Sequence, residues 1–198
     1  MIHFVSRETA SARAGRPPWH RWRMIQIATR EVYRNRWMSV REDDIRHPDG
    51  SPGIYGVVDK PTAALVIPME NDGFHLVEQF RYALSRRSWE FPQGTWPDDR
   101  QTTTEELARA ELAQETGLRA ATVERLGSFA IAPGFTSQRC DLFLATGLTV
   151  GETDRDPEEQ GMRQQWFSRA EFERMLRAEE IVDALTLAAY TRLLLRGR

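Results

Sequence analysis

"FPQGTWPDDRQTTTEELARAELAQETGL", residues 91–118, is the stretch whose reading decides the fold. It begins as a loop built around Pro92, Gly94 and Pro97 and then turns helical. Thr103 with Glu106, or Thr102 with Glu105, forms a capping box that opens the helix. The helix runs to about Thr116, and Gly117 stands where a C′ glycine belongs. Each helical residue turns about 100°, so Glu111 and Glu115 lie about 40° apart and one turn, roughly 6 Å, along the axis. Side chains so placed converge on one cation. Their oxygens are hard ligands, and with no His or Cys nearby the matching ion is Mg²⁺ or Mn²⁺. Gln114 falls about 60° to the other side of Glu111, and its amide oxygen is a weaker, uncharged ligand. Two glutamates four apart also describe an ordinary solvated helix face. What distinguishes this pair is its setting: a Gly- and Pro-rich loop before it, a glycine directly after it, and backbone oxygens in "FPQG" able to complete a metal site.

Working outward, "IQIATREVY" and "RWMSVRE" alternate apolar and polar residues as strands do, and "HPDGSPG" (47–53) is dense in turn formers. "AALVIPM" (63–69), "NDG" and "FHLVEQF" (74–80) read as a hairpin with Asn-Asp-Gly supplying the positive-φ positions. Pro68 and Pro92 predict that strands end or bulge beside them. After the helix, "TVERLGSFAIA" and "RCDLFLATGL" form two strands around "PGFTSQ". An acidic loop (151–161), the strand "RQQWF" and two short helices, "RAEFERMLRA" and "DALTLAAYTRLLL", complete the chain. Strands, one central helix, more strands and terminal helices make an α+β sandwich. Residues 1–23 are expected to be loosely ordered, 24–60 to form a β-rich N-terminal extension, and 61–198 to form the main domain.

Composition narrows the function. A chain of 198 residues, 40% hydrophobic and 28% charged, suits one catalytic-size domain with a small appendage. The net charge of −2 leaves no basic footprint for nucleic acid. The lone Cys140 excludes an internal disulfide and a Cys-based zinc site, and fits a reducing compartment. No apolar run approaches the roughly 18 residues that cross a bilayer, so the expected location is cytoplasmic, without membrane partners. Arg7, Arg13, Arg16, Arg21 and Arg23 against Glu8 read either as a ragged basic terminus or as a transit-like segment. Of 27 basic residues only Lys60 is lysine, a bias ascribed to base composition. His3, His20, His47 and His75 are too scattered for a zinc site or a triad.

Residues 94–118 resemble a Nudix box: G, five residues, E, seven residues, then R-E-U-x-E-E-x-G-U with U apolar. Glu111, Leu112, Glu115, Gly117 and Leu118 match its second half and Gly94 its opening glycine, although the spacing from Gly94 to Glu111 is two residues longer. Ala110 replaces the Arg, Gln114 replaces the first Glu of the pair, and no Glu clearly fills the upstream position. Arg109, one residue early, either substitutes for the missing Arg or pairs with Glu105 or Glu106 at helical spacing. The likeness extends over roughly residues 28–196. "EVYRNRWMSVREDDIRHPDG", "VEQFRYALSRRSWEFPQG", "IAPGFTSQRCDLFLATGL" and the acidic loop before "QQWF" are similar to the ADP-ribose and nucleotide-sugar pyrophosphatase branch. That branch tends to carry a proline some fifteen residues past its box, where Pro133 stands.

The resemblance implies a Nudix-like α/β/α sandwich with a mixed sheet, preceded by the β-rich extension. It implies divalent-metal-dependent hydrolysis of a nucleoside diphosphate linked to X, with ADP-ribose or a related nucleotide sugar as substrate. Glu111 and Glu115 would hold Mg²⁺ or Mn²⁺ with the backbone carbonyl of Gln93, and Gln114 stands as a further metal-facing position. A further Glu from "DRDPEEQG", Glu159 first and Glu158 second, would act as metal ligand or general base. Arg81 would grip phosphate, a task suited to a planar, permanently charged fork. Glu90 would steady the loop or touch substrate, and Trp37, Phe80 and Tyr82 are stacking candidates. The branch also implies a homodimer joined through its N-terminal strands. The alternative reading, motivated by Gln114 and Ala110, is a weak or inactive Nudix module that binds a nucleotide ligand.

Overall fold

Why the main domain has three layers is visible in one strand. In the computed structural model, which describes residues 23–96, 102–152 and 161–196, every residue from Ala63 to Pro68 is buried. This strand, β4 (Ala63–Glu70), lies parallel to β9 (Arg139–Val150), with Ala63 opposite Cys140 and Pro68 opposite Ala145. Alternation sends Ala63, Leu65 and Ile67 into one cluster with Leu142, Leu144, Phe74, Phe91, Phe172 and Tyr190. Ala64 and Val66 face the other way, onto Phe143, Ala145, Leu107, Ala108, Leu112 and Leu118. A parallel pair covered on both faces reads as the continuous apolar run "AALVI".

Helix α1 (Thr104–Thr116) supplies one cover, and α2 (Arg169–Arg177) and α3 (Ala184–Leu194) supply the other. The α1 capping box uses the first of the two expected pairs, Thr103 with Glu106, and Gly117 ends the helix at φ 74°. The sheet orders its strands β10 (Arg163–Ser168), β5 (Gly73–Arg81), β4, β9, β8 (Leu118–Ala130). Two short strands add to it: β6 (Arg86–Glu90) pairs β5, and β7 (Gln93–Gly94) pairs β4. The mixed-sheet α/β/α sandwich is therefore present.

Two prolines and a turn refine the expectations. Pro68 does not end β4; it is the last residue paired with β9, and Met69 and Glu70 continue with β5 as partner. Pro92 does fall in the break between β6 and β7. In the β4–β5 turn the positive φ angles belong to Asn71 (49°) and Asp72 (52°) only. Gly73 answers a different need: a Cβ there would run into the Phe167 carbonyl and the Trp166 ring.

The N-terminal strands β1 (Ile25–Arg34), β2 (Ser39–Arg46) and β3 (Pro52–Asp59) form a separate antiparallel sheet. It joins the main domain through β3. The Val58 amide donates to the Phe135 carbonyl (2.8 Å), the Tyr55 hydroxyl to the Gly134 carbonyl (2.7 Å), and the Ser137 hydroxyl to the Asp59 carboxylate (2.6 Å). Ile25, Ile27, Val32 and Tyr33 on β1 and Ile54 on β3 remain exposed.

Leu112 anchors α1 against β4 from a fully buried position. Truncation in Leu112→Ala should lower unfolding free energy by about 2–5 kcal/mol, whereas Thr103→Ala, which deletes only the cap, should cost about 1 kcal/mol. Urea denaturation monitored by Trp fluorescence measures both; equal losses would contradict the packing described.

Candidate active site

The strip Glu90–Gly94 is where the layers meet, and each of its residues is held differently. Glu90, almost wholly buried, accepts from Arg81 (Nη2 2.5 Å, Nε 3.1 Å) and from Gln79 Nε2 (2.6 Å). The Phe91 amide donates to the Thr186 hydroxyl at 3.0 Å, and the Phe91 ring stacks on Phe172. The Pro92 carbonyl accepts from the Val66 amide at 3.0 Å. The Gln93 amide donates to Glu115 Oε2 at 3.2 Å, while its side chain donates to Asp183 Oδ2 at 2.9 Å. At Gly94 an added Cβ would overlap the Glu111 carboxylate.

Glu111 and Glu115 are thus brought together, both buried and both against the backbone of Gln93–Gly94. Successive side-chain directions of an extended strip alternate. Gln93 points toward Asp183 and the absent Gly94 side chain toward Glu111, so the carboxylate pair and Asp183 flank opposite faces of one strip. Among the described residues no group of three or more His, Cys, Asp or Glu side chains is arranged to hold a metal. The pair nevertheless fits a hard dication: its donors are all oxygen, and the Gly94 position leaves the Glu111 carboxylate directly against backbone. Further ligands would come from backbone carbonyls such as that of Gln93, or from elsewhere in the chain.

On the Asp183 face lies a cavity of about 600 Å³ whose lining includes Lys60, Arg81, Glu90, Gln93, Gly94 and Asp183. Burial pushes the Glu90 carboxyl up to about 7; the Arg81 cation opposes the shift and the Asp183 charge reinforces it. Arg81 keeps more than a third of its side chain exposed while paired to Glu90. Tyr82 also lines the cavity. Phe80 is exposed and, like Trp37 and Pro133, is not in the lining. Trp37 lies in the β1–β2 turn beneath the Arg36 guanidinium (4.4 Å), and Pro133 is exposed in the loop after β8. Gln114 is half-buried on α1. Arg109 takes the helical-pair alternative, bonding Glu105 at 3.0 Å and the Ala120 carbonyl at 3.2 Å. Glu158 and Glu159 lie outside the described residues.

Four contributors escaped the sequence reading: Gln79, Lys60, Asp183 and Thr186. All but Gln79 left a signal. Lys60 is the one lysine among 27 basic residues, and "DALT" (183–186) is an N-cap pattern, Asp followed three residues later by Thr at the start of a helix.

The raised Glu90 value fixes the sign of a pH effect. Its folded-state pKa lies above the ordinary value of 4.5, so the native state keeps a proton that the unfolded chain loses. That stabilisation is complete below pH 4.5 and is lost as pH rises through about 7. Relative to the native chain, Glu90→Gln should therefore gain on the order of 2–3 kcal/mol between pH 4 and pH 8. Denaturant titrations of both proteins in EDTA measure this gap; one that is constant with pH would show that Glu90 ionises as an exposed carboxyl does.

The NUDIX domain model matches residues 59–188, and a model described as the nucleoside diphosphate sugar hydrolase N-terminal domain matches residues 24–58. The chain is 32% identical over 164 residues to an ADP-ribose pyrophosphatase of Mycobacterium tuberculosis (strain ATCC 25618 / H37Rv), covering 82% of this chain and 79% of that one. It is 33% identical over 129 residues to a methanol dehydrogenase activator of Bacillus methanolicus, covering 64% and 68% respectively. Among solved structures, one titled "Crystal structure of ADP compounds hydrolase" superposes with a TM-score of 0.76 at 20% identity, covering 86% of this chain and 91% of that one. Nudix hydrolases generally use divalent metals, in keeping with the buried carboxylate pair beside Gly94. The chain belongs to the Nudix family, as a pyrophosphohydrolase.

Proposed function

We propose that this protein hydrolyses the pyrophosphate bond of ADP-ribose or a related nucleotide sugar, releasing a nucleotide and a sugar phosphate. The observation that carries this reading is the contact of two buried carboxylates, Glu111 and Glu115, with the backbone of Gln93–Gly94, two residues that also line the cavity. The likeness to the ADP-ribose pyrophosphatase of M. tuberculosis supports the substrate class.

Glu111, Glu115 and the Gln93 carbonyl would hold Mg²⁺ or Mn²⁺, with Gln114 as a neutral neighbour. When bound, the dication neutralises pyrophosphate charge and activates water. Arg81, steadied by Glu90 and partly exposed in the cavity, would bind a phosphate oxygen. Glu90 itself lines the cavity and would meet the sugar-phosphate end, Tyr82 offers a stacking face, and Glu159 would serve as ligand or general base. In this reading Trp37 and Pro133 contribute substrate contacts only through an assembly.

That assembly is proposed to be a homodimer formed over the N-terminal sheet, which the exposed Ile25, Ile27, Val32 and Tyr33 support. The use of a single cysteine, the buried Cys140, supports a reducing, cytoplasmic setting. No helix among the described residues is long and apolar enough to cross a membrane.

The test is incubation with Mg²⁺ or Mn²⁺ and ADP-ribose, NADH, GDP-mannose, UDP-glucose or a diadenosine polyphosphate. AMP should appear from ADP-ribose, vanish in EDTA, and fall by at least about 100-fold in Glu115→Gln, the upper end of what losing even an outer partner of a metal costs. Nucleotide binding without turnover of any compound would instead establish the non-catalytic module that Gln114 motivates. Gly94 gives a second measure. Its φ lies outside the left-handed range, so Gly94→Ala adds no backbone strain and should cost only the overpacking against Glu111, on the order of 1–3 kcal/mol. The new Cβ must displace the Glu111 carboxylate, so calorimetry should find Mn²⁺ affinity reduced by about tenfold or more. Unchanged affinity would remove Glu111 from the metal site.

A further inference from the structure

The N-terminus of α3 is bonded to the strip that carries the candidate metal site, although about ninety residues separate them in sequence. Asp183 Oδ2 accepts three hydrogen bonds: from the Thr186 amide (2.8 Å), the Thr186 hydroxyl (2.7 Å) and Gln93 Nε2 (2.9 Å). The Thr186 hydroxyl, having donated to Asp183, is oriented to accept from the Phe91 amide at 3.0 Å. Thr186 is wholly buried, as is Phe91, so this amide has no access to water as a substitute partner.

The anchor itself is rigid. Ala189 and Tyr190 of α3 sit in the main core, with Tyr190 edge-on to Phe74 and Phe172. From this fixed point the bonds run to Phe91 and Gln93, and from the Gln93 amide to Glu115 Oε2 at 3.2 Å. Packing alone would fill the space without setting the rotation of the strip. Three directional bonds to one oxygen, and a hydroxyl used as both donor and acceptor, do set it.

We propose that Asp183 and Thr186 are positioning residues: they hold the Phe91–Gly94 strip in register with α1, so that its backbone meets Glu115 and Glu111 in the geometry the metal requires. The inference rests on the proposed metal site but not on the identity of the substrate. Both would act through the strip rather than on the substrate.

The metal-free protein gives the first readout. Asp183→Asn retains a good N-cap but replaces the charged oxygen that accepts from Gln93 Nε2 and from Thr186 by a neutral one, so all three bonds lose their charge assistance. Backbone hydrogen exchange by NMR should accelerate at Gln93, whose own amide partner is Glu115, while the amides of β9 keep their protection. The second readout is Mn²⁺ binding by electron paramagnetic resonance. Its Kd should rise about tenfold, the scale of a lost outer partner, in both Asp183→Asn and Thr186→Val. Thr186→Ser, which restores the hydroxyl, should recover the parent value. With ADP-ribose, the same variants should lower kcat more than they raise KM.

Unchanged Gln93 exchange and Mn²⁺ affinity in a folded Asp183→Asn would overturn the proposal and leave the pair as an ordinary helix cap. So would a Thr186→Ser variant as impaired as Thr186→Val. Should Thr186→Val not fold, Asp183→Asn and Thr186→Ser decide alone. Absence of ADP-ribose turnover in the parent would count against the substrate reading only, because exchange and Mn²⁺ binding are measured without substrate.

Discussion

Covering β4 and β9 on both faces governs the rest of the structure. A parallel pair of strands with apolar residues on each side must be covered twice, which places α1 on one side and α2 with α3 on the other. The strip Gln93–Gly94 pairs with the same β4, opposite Leu65 and Ala64. It is therefore reached by the C-terminal half of α1 from one side and by the first turn of α3 from the other. The active-site candidate is thus a consequence of layer geometry: two helices from opposite layers can address one short strip only where that strip lies at the sheet they both cover.

That position carries an electrostatic cost. Glu90, Glu111 and Glu115 are all buried within or against five consecutive residues. Withdrawing a carboxylate from water is unfavourable unless charge or hydrogen bonds replace the solvent. The three are met differently. Glu90 has Arg81 and Gln79, and still its carboxyl is pushed up to about 7. Glu115 has a backbone amide of the strip. Glu111 lies against Gly94, where any side chain would exclude it. Two buried carboxylates, Glu111 and Glu115, against one short strip are the arrangement expected where a cation is to be held.

Much of the fold was legible because its signals are local. The continuous run "AALVI", the Asn71–Asp72 turn, the Thr103–Glu106 box and Gly117 each act over a few residues, and each appears where its chemistry demands. The buried side of α1 was harder to read, because Glu111 and Glu115 lie on it and break the apolar stripe that normally marks an inward face. Their spacing, the Gly- and Pro-rich loop before them and the glycine after them singled them out, together with the motif resemblance. Gly94 was matched as a motif glycine, but its physical reason, contact with Glu111, depends on the strip folding back onto α1. Asp183 and Thr186 read locally as a helix cap; their bonds to Phe91 and Gln93 span the chain and leave no periodic trace. Arg109 had two uses open to it in sequence, and the nearer partner, Glu105, took it.

The N-terminal sheet and the cavity are also mechanically linked. β3 is bonded to the loop between β8 and β9 through Val58, Tyr55 and Asp59. Residues at the two ends of that loop, Ile131 and Gln138, line the cavity, and the Gln138 side chain bonds the Pro61 carbonyl next to Lys60. A body that covered the exposed apolar residues of β1 would therefore bear on β3 through its ladder with β2, and through β3 on two walls of the cavity. Specificity for the group X would then be set from outside the main domain, by how the N-terminal sheet holds that loop. Among the described residues no strand of the N-terminal sheet pairs with β4 or β7, and the loop reaches the strip through Gln138, whose side chain lies against Thr95 beside Gly94. The walls that this loop lends to the cavity and the paired carboxylates on α1 thus belong to different elements of the fold.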